Sequence, residues 1–291
     1  MIIDCHCHIL TKQVIQRVSA MTALVQELEL LSAVEHRFDP RVLDEDARKN
    51  NIEYCILFPT APPDKVQSEN DRYIAIASSF PRLKALATLH PQMDHLADEI
   101  ERVSDLGITG FKLASFSQRF DIASDDVKRM FITMAKIGMK KKKNFTIVFD
   151  TFYRSYVHFS VHPDHITTPA KLHAVVSRHP ELCFLATHMG GLTADFQSIR
   201  RQLKPAPNLY LDTSNAAHTL RADQFIHLLQ EHGADHILFG TDWPWFDHAP
   251  EISLINSLLD QAGFNQDQKE AVFRTNAKKI FWDPKRFFSP S

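Results

Sequence analysis

Glycine is scarce in this chain, 8 residues among 291. A dinucleotide-binding open sheet normally carries a Gly-rich turn after its first strand, and none follows Leu10. Neither sign of charge dominates: Lys and Arg number 33 against 35 Asp and Glu, a formal net charge of -2, so no polyanion partner such as nucleic acid is implied. The one run of like charge, Lys140 to Lys143, follows the apolar pattern Met130, Phe131, Met134, Ile137 and reads as the solvated end of a helix. No apolar run approaches the length of a membrane span, and Asp4 and His6 interrupt any signal-peptide core at the start. The four cysteines, Cys5, Cys7, Cys55 and Cys183, fall in strand-like apolar runs and read as buried, reduced thiols. These absences lead to the expectation of a soluble cytoplasmic protein. No linker rich in Gly, Ser or Pro divides the chain, so residues 1–291 read as one domain.

What is present is a repeating alternation of short apolar runs and helical patterns. Strands are predicted at the first ten residues, 52–58, 84–90, 108–115, 145–150, 182–188, 208–213 and 236–242. Helices are predicted at 13–31, 71–79, 95–106, 125–140, from Thr168-Pro169 to near Pro180, 222–231, 250–261 and 267–280. Parallel neighbours need helical crossovers, and eight such units in this length fit a single (β/α)₈ TIM barrel with extra C-terminal helices. The loop Thr151 to Thr167 is long for its place, as functional loops often are.

The first strand, Met1-Ile-Ile-Asp-Cys-His-Cys-His-Ile-Leu10, is the most informative stretch. Strict alternation puts Asp4, His6 and His8 on one face and Ile3, Cys5, Cys7 and Ile9 on the other. Two imidazoles two positions apart on a rigid strand can meet at one divalent metal. A mixed site including the interleaved thiols is set aside, because alternation turns the cysteines away. In a TIM barrel the loops after the strands form the active face. The predicted strand ends carry His90, Lys112, Asp150, His188, Asp212 and Asp242 besides the first-strand trio. Imidazoles and carboxylates converging on one barrel mouth make a metal site of the kind that activates water.

With these residues in place, the chain resembles the amidohydrolase superfamily, in particular the group that includes aminocarboxymuconate-semialdehyde decarboxylase. The resemblance runs nearly end to end, through Ile3-Asp-Cys-His-Cys-His8, Gly110-Phe-Lys-Leu113, Thr187-His-Met-Gly-Gly191, Leu209-Tyr-Leu-Asp-Thr-Ser214, Leu238-Phe-Gly-Thr-Asp-Trp-Pro244 and Asn276-Ala277. It implies His6 and His8 as metal ligands, Asp242 as ligand or proton acceptor, and His188 as the histidine polarising water or substrate. It also implies that barrels of this kind pair as homodimers. One departure matters: the fifth strand ends in Asp150, where the family has a metal-binding histidine. A carboxylate can replace imidazole on zinc, the expected ion, or on manganese. Two histidines and two aspartates would then cancel the cation and leave a water there less acidic. The alternatives are that Asp150 contacts substrate or supports the site, with His158 or His162 replacing it as ligand, or that metal binding is lost.

Lys112 is expected to bind a substrate carboxylate or to pair with a neighbouring Asp, and His90 to line the site or its wall. Asp212 is expected to order a turn or hold His188. Trp243, Trp245, Phe246, Phe152 and Tyr153 are candidates for an aromatic pocket, with Arg154 as an anion clamp. The reading that follows is a metal-dependent hydrolase. It cleaves an amide, lactone or ester of a small molecule, one carrying a carboxylate if Arg154 serves as its clamp. Non-oxidative decarboxylation on the same scaffold, and a degenerate barrel that binds without turnover, are the rivals.

Overall fold

A computed structural model describes residues 1–31, 34 and 36–283; the expected domain limit at residue 291 lies outside them. Its strands are β1 (Ile2–Cys7), β2 (Ile52–Leu57), β3 (Leu83–Ala85), β4 (Ala87–Thr88), β5 (Gly110–Leu113), β6 (Thr146–Phe149), β7 (Cys183–Ala186), β8 (Leu209–Asp212) and β9 (Ile237–Leu238). All pair in parallel, in the orders β1-β2-β3 and β4 through β9. β3 and β4 are two halves of the single strand predicted at 84–90. They part at Leu86, whose N–H donates to the Leu57 carbonyl at 3.1 Å, so the first half pairs back to β2 and the second forward to β5. Beyond β9 the chain continues alongside β1. Cys5 donates to Phe239 at 2.9 Å, Asp242 to the His6 carbonyl at 3.0 Å, and His8 to the Trp243 carbonyl at 2.8 Å. These bonds close the eight-stranded ring of a TIM barrel.

Ile3, Cys5, Ile56, Leu86, Val148, Leu185, Tyr210 and Leu238 fill the lower barrel with Ala277, Ile280 and Phe281 of the helix Asn276–Trp282. Thr109 and Thr146 donate to the Phe281 and Ile280 carbonyls at 2.7 and 2.6 Å, fixing that helix under the N-terminal strand ends. The outer helices cover the opposite strand faces with Phe111, Phe131, Phe149, Phe184 and their neighbours. No helix among the described residues is long and apolar enough to cross a membrane.

Several expectations need correction. Strict alternation fails in β1, because the register with β2 shifts between Asp4 and Cys7. Such a bulge reverses side-chain parity. Ile3 and Cys5 point inside, Cys7 and Ile9 pack outward against Leu43, Ala47 and Trp243, and Asp4 faces outward with Cys7. The helix predicted at 13–31 is two short ones, Lys12–Ser19 and Thr22–Glu27. Their Ile15, Leu24 and Leu28 pack with Phe152, Leu192 and Trp245 over the barrel mouth. The helix that packs on the barrel is Pro40–Lys49, outside every predicted helix, with Asp39 as its N-cap and Pro40 in its first turn. The last predicted strand keeps only β9, since Ala234–His236 is a 3₁₀ turn and Asp242 adopts φ +67°.

His232 ends the helix Ala222–His232 buried, with neither ring nitrogen hydrogen-bonded. Burial, opposed by Glu231, lowers its pKa from 6.5 to about 4. The folded state therefore binds fewer protons than the unfolded one, so the stability present above pH 6.5 is lost as pH falls toward about 4. His232→Leu is expected to flatten that acid-side loss, read as the change in urea midpoint across the window. An unchanged slope would assign it to other groups.

Candidate metal centre and its cavity

Because of the bulge, His6 and His8 both turn into the upper barrel. His6 Nε2 lies 3.0 Å from His8 Nε2, and Asp242 Oδ1 lies 3.5 and 3.4 Å from the two. The other ring nitrogens fix the tautomers. His6 Nδ1 meets Asp212 Oδ2 at 2.9 Å and the Ser214 hydroxyl at 2.8 Å. His8 Nδ1–H points at the Phe58 carbonyl at 3.3 Å. With protons on both Nδ1 atoms, two lone pairs and a carboxylate oxygen face one another with no hydrogen between them. That arrangement is repulsive unless a cation occupies it. Tetrahedral ligands on bonds of about 2.0–2.1 Å sit roughly 3.3–3.4 Å apart, so the spacing fits a three-ligand centre with an open position. A proton is the poorer occupant: burial, aided by Lys112, His188 and His8 and opposed by Asp242, holds the His6 pKa well below its ordinary value.

Asp212 organises the layer beneath. One oxygen accepts the His188 N–H at 2.8 Å and the Ser214 N–H and hydroxyl, while the other holds His6. Burial raises its pKa despite His188 and Ser214. It thus supports both histidines; the sequence expectation named only His188. His188 Nδ1–H donates to the Ser214 carbonyl at 2.9 Å, leaving Nε2 turned to Asp150 Oδ1 at 3.9 Å. Asp242, His188 and Asn215 all hold positive φ, 67°, 54° and 56°, and non-glycine residues in that region cluster at functional sites.

Asp150 stands apart from the triad. Its Oδ2 pairs with Lys112 Nζ at 3.2 Å, and Lys112 in turn lies 4.7 Å from the Phe58 ring centre. Burial would raise the Asp150 pKa, but Lys112, then His188, His6 and His8, hold it far below the usual carboxylate range. Lys112 is fully buried, so of its two expected roles the structure supports the ion pair.

Above the triad lies a cavity of about 550 Å³, lined by Phe58, Phe116, Phe152, Phe159 and Trp245 together with His8, Asp150, His188, Asn215 and Asp242. Its rim includes Arg17 and Arg119, whose guanidinium groups have no hydrogen-bond or ion-pair partner among the described residues. Sequence reasoning missed both, since each is an isolated charge in a short helix or turn. Three expected substrate contacts are not brought to the cavity. Arg154 pairs with Glu27 at 3.0 Å. Trp243 continues the outward register and packs with Cys7, Leu43 and Leu57. His90 is spent structurally, on the Gln118 carbonyl at 2.9 Å and the Gln92 N–H at 3.1 Å. His158 pairs with Glu27 and His162 is exposed beside Asp164, so neither joins the triad.

A TIM barrel whose mouth brings His6 and His8 of β1 together with Asp242 from beyond β9 presents a group of three side chains that could hold a metal ion. The family model described as amidohydrolase matches residues 3–281, and the chain belongs to that family. No curated protein sequence matches it. Among solved structures it is similar to an uncharacterised TIM-barrel protein from Bordetella bronchiseptica (TM-score 0.71, 17% identity, 96% of this chain and 97% of that one). It is similar to an amidohydrolase from Burkholderia multivorans with bound zinc (0.68, 16%, 96% and 98%). It also resembles 5-carboxyvanillate decarboxylase from Novosphingobium aromaticivorans with bound manganese (0.67, 17%, 96% and 96%).

Removing Lys112 strands a buried carboxylate. Lys112→Met is expected to cost about 3–5 kcal/mol of stability near neutral pH. The loss shrinks on acidification, because Asp150, no longer held down, takes up a proton. Equal losses at neutral and mildly acid pH in denaturant titrations would contradict the pairing.

Proposed function

We propose that the protein is a metal-dependent hydrolase acting on an amide, lactone or ester of a small molecule that carries a carboxylate away from the scissile group. The observation that carries this is the meeting of the His6 and His8 lone pairs with Asp242 Oδ1, 3.0 to 3.5 Å apart, in the wall of an apolar cavity. His6, His8 and Asp242 would hold the ion, zinc or manganese, since similar structures carry one or the other. Bound there, a divalent cation supplies Lewis acidity to a carbonyl and lowers the pKa of water.

The chain's own groups do the rest. Burial works against the Asp242 charge, and His8, His6 and His188 outweigh it, so the carboxylate stays ionised. Its Oδ1 faces the imidazoles; Oδ2, near Asn215 Nδ2 at 3.4 Å, is the proton acceptor for the attacking water. His188, with Nδ1–H committed to Ser214, presents an unprotonated Nε2 to the cavity, where it takes the water's proton over from Asp242 and delivers it to the leaving group. Aromatic side chains exclude bulk water, and Arg17 and Arg119 attract the distal carboxylate.

Decarboxylation is the second reading, favoured by the likeness to a decarboxylase. It requires a substrate carboxylate at the centre and a group to donate a proton to the carbon, and Asp150, paired with Lys112, and Asp242 are both held ionised. Both are therefore poor donors of the proton that must replace CO₂. The lack of a protonated carboxyl at either position supports hydrolysis.

Asp242→Asn is expected to lower turnover by about 10²–10⁴-fold on a panel of carboxylated lactones, esters and amides while the protein stays folded. Release of CO₂ from carboxylated aromatics with no hydrolysis across the panel would replace this reading with the second. Metal analysis of wild type beside Asp150→His tests the centre itself. A divalent ion lost on His8→Ala supports it; a site that fills only in Asp150→His would sink the hydrolase mechanism.

A further inference from the structure

Behind the His-x-His strand, on the outer face of β1, lies a second convergence of donor atoms. Asp4 and Cys7 come from β1, Cys55 from β2, and His248 opens the helix His248–Gln261. One donor atom from each lies within 4.8 Å of all the others, and all four residues are fully buried. His248 Nε2 is 3.0 Å from Asp4 Oδ2 and 3.8 Å from Cys55 Sγ. Its Nδ1 meets Asp46 Oδ2 at 2.6 Å, the carboxylate–imidazole pairing that orients metal-binding histidines. Asp4 is oriented in its turn: Thr241 donates to both its oxygens, at 3.0 Å from N–H and 2.5 Å from the hydroxyl, and the His6 N–H donates at 3.0 Å.

We propose that Asp4, Cys7, Cys55 and His248 form a closed structural site for a thiophilic divalent cation of the zinc type, separate from the cavity. Two sulfurs, one imidazole nitrogen and one carboxylate oxygen make a four-coordinate donor set with no open position. Tetrahedral zinc with sulfur at about 2.3 Å and nitrogen at about 2.0–2.1 Å sets neighbouring donors roughly 3.4–3.8 Å apart, close to the Cys55–His248 spacing. Binding breaks two S–H bonds and releases both protons to solvent as the thiolates form on the cation. The competing arrangement is an imidazolium of His248 between Asp4 and Asp46. It accounts for the carboxylates and leaves the two thiols as weak hydrogen-bonding partners of Asp4, His248 and each other, where a cation would take all four donors. The cation would tie β1, β2 and the His248–Gln261 helix together. Through the Asp4–His6 bond it would brace the strand that presents the cavity imidazoles, whatever reaction they carry out.

The cavity triad offers only nitrogen and oxygen, so sulfur ligation reports this site alone. Protein produced in cobalt-supplemented medium is expected to show the near-ultraviolet thiolate-to-cobalt charge-transfer absorption. The band should persist in His8→Ala and vanish in Cys55→Ala, with the loss of one metal equivalent per chain. Wild-type protein that takes up no cobalt, or takes it up without that absorption, overturns the proposal and leaves the imidazolium. An unchanged metal content in Cys55→Ala does the same. If Cys55→Ala does not fold, the wild-type spectrum decides.

Discussion

The register shift between Asp4 and Cys7 is the constraint from which the mouth of this barrel follows. A regular strand would send all its polar residues one way. The bulge instead sends Asp4 outward to His248 and Thr241 while His6 and His8 turn in. Nearly the same backbone contacts close the barrel: Asp242 donates to the His6 carbonyl, and His8 donates to the Trp243 carbonyl. Closing the ring and bringing Asp242 to the imidazoles are thus one event. Gly240 permits it, since a Cβ there would sit 2.8 Å from that of His6.

A site assembled this way is held under electrostatic tension. Hydrogen bonds through Nδ1 to Asp212, Ser214 and the Phe58 carbonyl prevent the two rings from turning their lone pairs apart. Positive φ at His188, Asn215 and Asp242 adds backbone conformations that the surrounding ladder must enforce. Neighbouring backbone and side-chain bonds supply that enforcement, as in the Asp212 contacts to His188 N–H and Ser214 N–H.

Much of this was legible in the residues. Parallel strands buried on both faces leave apolar runs, and the strand ends gave His6, His8, His188, Asp212 and Asp242 as a group. What local pattern does not carry is parity after an irregularity. The bulge that reversed β1 also turned Cys7, which packs against Leu43, Ala47 and Trp243, to the side of Asp4, Cys55 and His248. Trp243 and Trp245 are indistinguishable in sequence, yet one packs outside and the other lines the cavity. Arg154 follows a strand end as an anion clamp should, but Glu27, at the end of the short helix Thr22–Glu27, takes it. Long-range ion pairs of that kind leave no periodic trace.

Lys112 and Asp150 show why pairing matters more than counting charges. Two histidines and two aspartates around one divalent cation would leave no net positive charge to acidify water. Asp150, however, is neutralised from within the chain, by a lysine whose ammonium sits 3.2 Å away and has no access to solvent. In the proposed mechanism the cation is then opposed by Asp242 alone, and a net positive charge remains where the nucleophile must form. A carboxylate at the end of β6 therefore does not weaken the proposed chemistry, because Lys112 of β5 supplies the compensating charge.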